Sequence, residues 1–200
     1  MTTASDSQRV PEHPVDPLFY QRWSPRAFTD EEIPVDELHV LFEAARWAPS
    51  SMNAQPWRFL YARRGTPAFA RFLSVLSPRN QEWAARAAAL LVVLSREVMN
   101  LPGKDAPVPS PTHSFDAGAA WAHIALQAHL RGWATHGMAG FDRERARAEL
   151  SVPADHTIEA FVAVGRRGDP ATLPEWARAR EVPSGRRPVS EVVREGSFRF

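Results

Sequence analysis

An α+β fold is predicted from three observations. The apolar run at 90–94 (LLVVL) is short and continuous, as in a strand covered on both faces. Two further stretches, 57–61 and 157–164, also read as strands. About five helix-patterned segments surround the three strands without the regular strand–helix alternation that builds a doubly wound parallel sheet.

Each element has a local reason. Residues 1–15 are polar and proline-punctuated, which predicts a loosely held arm ahead of a single folded domain over 16–200. From Pro34, the residues Leu38, Leu41, Phe42 and Ala45 follow the spacing of a buried helix face, and Pro49 marks its end. Trp57, Phe59 and Tyr61 alternate with Arg58, Leu60 and Ala62, a strand period. Thr66 can cap a helix with Pro67 in its first turn and Phe69, Phe72, Leu73 and Leu76 as its apolar stripe. Asn80 is expected to start another helical piece before the central strand. Residues 99–113, with several prolines and Gly103, form the longest predicted loop, and such loops often border a site.

Ser114 is expected to cap the next helix, whose Ala117, Trp121, Ile124, Ala125 and Ala128 face one way before Gly132 ends it. Its alanines and Gly118 allow close approach, so it suits a core or a dimer interface. Asp142 can cap a short helix running to Leu150. The final segment, with Trp176 and the terminal 198–200, has too little apolar content for its own core and is expected to lie across a partner subunit. No internal repeat is present.

Composition excludes several function classes. Lys and Arg total 24 against 23 Asp and Glu, with no long basic run, which removes the general electrostatic case for nucleic acid. The absence of cysteine excludes disulfides, thiolate metal sites, iron–sulfur ligation and thiol nucleophiles, so redox chemistry would need a bound cofactor. His113, His123, His129 and His136 lack a compact zinc spacing, and no metal is expected. No apolar stretch approaches the ~20 residues of a membrane span, so a cytoplasmic protein is expected.

Two phrases carry the chemistry. Arg22-Trp23-Ser24-Pro25-Arg26-Ala27-Phe28 offers two guanidiniums and a hydroxyl within five positions, suited to a phosphate and a polarised ring edge because arginine presents a fixed fork of donors. Ala48-Pro49-Ser50-Ser51-Met52-Asn53-Ala54-Gln55-Pro56-Trp57 is a tight loop of short hydrogen-bonding side chains bracketed by prolines. A planar heteroaromatic ligand needs donors and acceptors at its rim and apolar cover on its face, and the two phrases supply both.

These phrases resemble the signatures of the nitroreductase family of FMN-dependent NAD(P)H oxidoreductases. The resemblance extends to Asn80 ahead of the apolar strand, to the run from Gly132 to Asp142, and to Ser184-Gly185-Arg186-Arg187-Pro188-Val189 near the C-terminus. It implies a central mixed, largely antiparallel sheet flanked by helices in an intertwined homodimer. It also implies that Arg22 and Ser24 contact the FMN phosphate and ribityl chain, that Arg186 or Arg187 completes the phosphate clamp, and that Arg26 lies beside the pyrimidine end with Asn80 nearby. Pro49, Ser50, Ser51 and Asn53 would reach the flavin of the other subunit, while Ala139 and Gly140 would present backbone N–H groups toward flavin N5. Trp23, Met52, Gln55, Gly137 and Met138 complete the implied cofactor-binding set. Met99, Phe115, Trp133 and His136 are expected to wall the substrate. The implied activity is hydride transfer from NAD(P)H through flavin N5 to a nitroaromatic, quinone or enone by a ping-pong scheme, with no catalytic side chain. A flavin-binding storage or sensing protein, and a helical interaction protein without ligand, are the competing readings.

Overall fold

The structure is a computed structural model that describes residues 9–199; residues 1–8 of the predicted arm, and Phe200, lie outside the described residues. Helix α1 (Pro17–Gln21) starts where the Asp16 carboxylate accepts from the Leu18 N–H, and α2 (Val35–Arg46) buries Leu38, Leu41 and Ala45 as their spacing predicts. A 3₁₀ turn (Ser51–Asn53) leads into β1 (Trp57–Arg63). Helix α3 (Pro67–Ser74) is capped by Thr66, whose hydroxyl accepts from Phe69 N–H at 3.2 Å. Then come α4 (Pro78–Ala84), β2 (Ala89–Arg96), the short strands β3 (Val98–Met99) and β4 (Val108–Pro109), and α5 (His113–Leu130). Strand β5 (Ala134–Met138), α6 (Arg143–Glu149), β6 (His156–Gly165) and the short helices α7 (Glu175–Arg178) and α8 (Val189–Val192) complete the order.

Four strands form one sheet in the order β1-β2-β6-β5, and all three pairings are antiparallel, so the described residues contain no parallel pairing in that sheet. Both faces are covered. Leu90, Val92 and Leu94 of β2 point into a core with Phe69, Phe72 and Trp83 from α3 and α4, while Leu91 and Val93 point into a second core with Leu38 and Leu41 of α2 and Ile124 and Ala128 of α5. Double coverage is why β2 is apolar at successive positions instead of alternating. Each such large side chain contributes about 1.5–3 kcal/mol by leaving water.

Strand β6 carries a bulge: Val93 pairs with Ala160 and Leu94 with Ile158, leaving Glu159 as the extra residue. The bulge inverts the parity of the strand, so Ile158 and Phe161, three apart, share one core. Among the described residues no helix is long and apolar enough to cross a membrane, and no group of three or more acidic or histidine side chains could hold a metal.

Several local expectations are corrected. The predicted loop at 99–113 contains an antiparallel ribbon, in which Val98 pairs with Pro109 and Met99 with Val108, before α5 begins. Helix α5 begins at His113 with Thr112 at the cap position; Ser114 lies inside it and donates to Glu159 instead. Helix α4 begins at Pro78, so Asn80 lies within its first turn and does not start it. Strand β5 escaped detection because its sequence, ATHGM, has one large aliphatic side chain and a glycine. The C-terminal segment is divided: Leu173 and Ala177 are buried in the same chain, Trp176 donates to Glu82 at 2.8 Å, and residues 183–199 are half-buried or exposed.

Candidate functional site

The first phrase lies between α1 and the bridge of Phe28 to Arg167, and it is fixed from two sides. From the C-terminal side, the buried Glu181 carboxylate accepts from the backbone N–H of Arg26 at 2.8 and 3.0 Å and of Ala27 at 2.8 Å. From the sheet, His136 on β5 donates its Nδ1–H to the Pro25 carbonyl at 3.0 Å while its ring sits 4.7 Å from that of Trp83. Burial pushes His136 down to about 4; the carbonyl bond opposes that shift and the Arg26 charge adds to it. Its imidazole is therefore neutral near pH 7, and the Pro25 carbonyl, which can only accept, selects the Nδ1–H tautomer.

A cavity of about 250 Å³ opens beside this phrase, lined by Arg22, Trp23, Ser24, Arg26, His136 and Arg186, with Arg9 and Arg180 at its margin. Arg9, Arg22 and Arg186 form no ion pair with a carboxylate among the described residues. Burial lowers the affinity of Arg22 for its proton and the neighbouring Arg186 lowers it further; Arg9 is affected in the same sense by burial, Arg186 and Arg22. Arg9 donates to the Arg22 carbonyl and Arg186 to the carbonyls of Ser184 and Gly185, and the three guanidiniums together make the cavity electropositive, which favours an anion. A phosphate, with oxygens that accept from such forks, suits this donor set.

Arg187 lies in the wall of an adjoining groove with Arg9, Phe19, Tyr20 and Arg186. Asn80 donates to the Gly140 carbonyl at 3.0 Å, and Ser77 N–H donates to the same oxygen at 2.9 Å. A Cβ at Gly140 would stand 2.9 Å from Asn80 Nδ2 and 3.0 Å from Ser77 Oγ, so a side chain there would displace the Asn80 amide. Ala139 and Gly140 thus sit on an exposed turn anchored by α4. Met138 points into the core and Gly137 is exposed against Trp121, so this stretch offers backbone more than side chain.

The second phrase is elsewhere: none of residues 49–55 lines the cavity of the first. Its loop is held in an uncommon conformation, with φ of 51° at Met52, 53° at Asn53 and 47° at Gln55. Left-handed backbone costs non-glycine residues about 1–2 kcal/mol each, and such outliers gather where the surrounding structure enforces them. Gln55 N–H donates to Ser50 Oγ at 3.0 Å, and Ser51 N–H donates to the buried Asp116 carboxylate of α5 at 3.2 Å, which also accepts from Thr112 Oγ1 at 3.1 Å. Met52 at the tip is 72% exposed.

The expected substrate wall is dispersed. Trp133 is buried, with the Arg166 guanidinium 4.0 Å above its ring, and it lines a second cavity together with Arg22, Trp23 and Pro25. Phe115 is 81% exposed on the first turn of α5, Met99 is half-buried on β3, and His136 lines the cationic cavity. Sequence reasoning missed Glu181, Asp116 and Arg9. An isolated carboxylate or an arginine in a polar tail carries no local signal, because its role depends on contacts over 65 or more positions for the first two.

An antiparallel sheet covered on both faces by helices, with a cationic cavity where its N-terminal phrase meets the C-terminal segment, defines the chain as an α+β protein. Comparison with known proteins gives the family: a model of the nitroreductase family matches residues 20–166, and the chain belongs to that family. A relative from Thermus thermophilus named NADH dehydrogenase is 29% identical over 199 residues, covering 86% of this chain and 91% of its own. A crystal structure of an oxidoreductase containing FMN superposes with a TM-score of 0.92 at 45% identity, over 100% of this chain and 99% of that one. A structure from Desulfovibrio desulfuricans in complex with FMN gives 0.68 at 27% identity, over 93% and 100% of the two chains.

Proposed function

We propose that this protein is an FMN-dependent oxidoreductase that takes electrons from NAD(P)H and passes them to an electron-poor acceptor such as a nitroaromatic, quinone or enone. The observation that carries the reading is the cluster of Arg9, Arg22 and Arg186 around the cavity of the first phrase, with no carboxylate paired to them among the described residues, in a chain 45% identical to an oxidoreductase containing FMN. When bound, FMN would supply the two-electron chemistry, accepting hydride from the nicotinamide and delivering it in a second, ping-pong half-reaction.

The chain's own residues bind, orient and tune. Arg22, Ser24 and Arg186, with Arg9 and Arg187 at the margin, hold the phosphate. Arg26 fixes a positive charge beside the pyrimidine end, where reduction would place negative charge, and a charge held in place stabilises that state without reorganisation. Ala139 and Gly140 direct backbone N–H groups at the ring, supported through Asn80 and Ser77. Trp23, Gly137 and Met138 give backbone and shape around it. His136 stays neutral and holds the Pro25 carbonyl; it, the exposed Phe115 and the half-buried Met99 face the acceptor.

The cavity of about 250 Å³ shares Arg9 and Arg186 with the adjoining groove, and we assign the remainder of the site to another chain. The strained loop of Pro49, Ser50, Ser51, Met52, Asn53 and Gln55 supplies it from a second subunit, in a homodimer with two shared sites. Residues 16–200 are then one FMN-binding domain whose C-terminal extension crosses to the partner, and the protein is cytoplasmic.

The purified protein is expected to be yellow, absorbing near ~450 nm, and to bleach within minutes of adding NADH or NADPH without oxygen. Retention of flavin without bleaching would favour storage or sensing. Excess FMN should raise the melting temperature of wild type but little in R22A, R26A and N53A, since saturation at ~100 times Kd is worth about 2.7 kcal/mol. Equal stabilisation in all four proteins would overturn these contacts.

A further inference from the structure

We propose that Glu181 is a positioning residue that sets the reduction potential of the bound flavin through Arg26; the proposal rests on the placement of Arg26 beside the flavin given above. Glu181 follows α7, its side chain is 1% exposed, and it takes the backbone N–H groups of Arg26 and Ala27 at 2.8–3.0 Å. Its Oε2 also lies 4.0 Å from Arg26 Nη1, which donates to the Arg180 carbonyl at 3.4 Å. The C-terminal segment thus grips both the backbone and the guanidinium of one arginine of the first phrase.

A neutral amide oxygen at the place of Oε1 would still accept from both N–H groups, though less strongly than a carboxylate does. Burying a full anion costs several kcal/mol unless it is paired and hydrogen-bonded, so the charge of Glu181 exceeds what holding the backbone requires. Its effect is electrostatic: an anion 4.0 Å from the guanidinium cancels part of the field that Arg26 projects into the cavity. Reduction of the flavin adds negative charge on the Arg26 side. Glu181 therefore holds Arg26 in place and at the same time restrains how strongly it favours the reduced form, keeping the flavin a ready donor to its acceptor.

The test uses the full-length protein reconstituted with FMN. Affinity for oxidised FMN is read by fluorescence quenching, and the two-electron midpoint potential by equilibration with reference dyes. E181Q, whose amide oxygen still accepts from both N–H groups, is expected to raise the ratio of reduced to oxidised FMN affinity about tenfold, an upward shift of about 30 mV. E181D keeps the anion and is expected to stay within about twofold of wild type in that ratio, while R26Q, which retains the amide bonds, lowers it about tenfold. E181M serves as a second uncharged variant should E181Q not accumulate in folded form. An unchanged potential in the uncharged variants alongside a lowered one in R26Q overturns the proposal and leaves the Arg26 placement standing. No effect in R26Q removes that placement and the proposal with it. Equal shifts in E181Q and E181D assign the effect to packing and also overturn it.

Discussion

The two phrases that draw attention in the sequence are held by opposite means. The first, at 22–28, has ordinary backbone and is fixed by long-range partners: Glu181 from the C-terminal segment and His136 from an edge strand, with Arg186 across the cavity. The second, at 49–55, is fixed locally by three left-handed residues and a bond to Asp116, and its tip faces outward. One region is assembled as a cavity within the chain. The other is a strained loop held by bonds to Ser50 and Asp116 of its own chain, with its tip exposed.

The largest expected effect breaks or keeps that division. R22A and N53A homodimers should each lose FMN, R22A by about 100-fold or more because charge-assisted bonds to phosphate are worth about 1.5–3 kcal/mol apiece. Mixed dimers of R22A and N53A subunits should regain flavin at about half the sites, since one site per dimer then has both phrases unaltered. Titration of tagged heterodimers with FMN reads this, and recovery of no sites would place both phrases at one chain's site.

Next in size is an acid dependence that belongs to the first region. His136 has a folded value of about 4 against its usual 6.5, so as pH falls the unfolded chain binds the proton first. Its contribution is complete above pH 6.5 and is lost between 6.5 and 4, amounting to about 3 kcal/mol at most. H136N should flatten the difference in urea midpoints between pH 7.5 and 4.5; an unaltered slope would show that the ring titrates freely.

A smaller loss is expected when the projection is cut from its support. D116A leaves the Ser51 N–H and Thr112 hydroxyl without their acceptor and should cost about 2 kcal/mol in urea denaturation, with D116N recovering part of it. Little change would mean that water replaces the carboxylate. Smallest is M52G, which relieves the steric cost of φ 51° at the price of chain entropy and should stabilise by less than about 1 kcal/mol. If the rigid tip is built for FMN, the same variant binds flavin more weakly; equal affinity would make the strain incidental.

Much of this was readable in advance, for a physical reason that also marks the boundary. Helices α2 and α3 and strands β2 and β6 announce themselves because burial imposes a period or a run on neighbouring residues, and Thr66 and Asp142 cap through bonds that span three positions. Strand β5 was not readable, since an edge strand of small and polar residues takes its pairing from β6 and not from its own pattern. The bulge at Glu159 and the ribbon at 98–109 follow from register, which is a property of two strands together.

The candidate site divides in the same way. Sequence by itself determined the donor types and their local spacing: Arg22, Ser24 and Arg26 in one phrase, the Ser50–Asn53 loop in another, Asn80, the stretch 137–140 and the arginine pair at 186–187. Only the tertiary structure decided that Arg9, Arg22 and Arg186 share a cavity, that His136 is neutral, that Trp133 is core, and that Glu181 clasps Arg26 from 155 positions away. Periodicity and capping act between neighbours along the chain, whereas the field and fit of a binding site depend on distances that only folding sets.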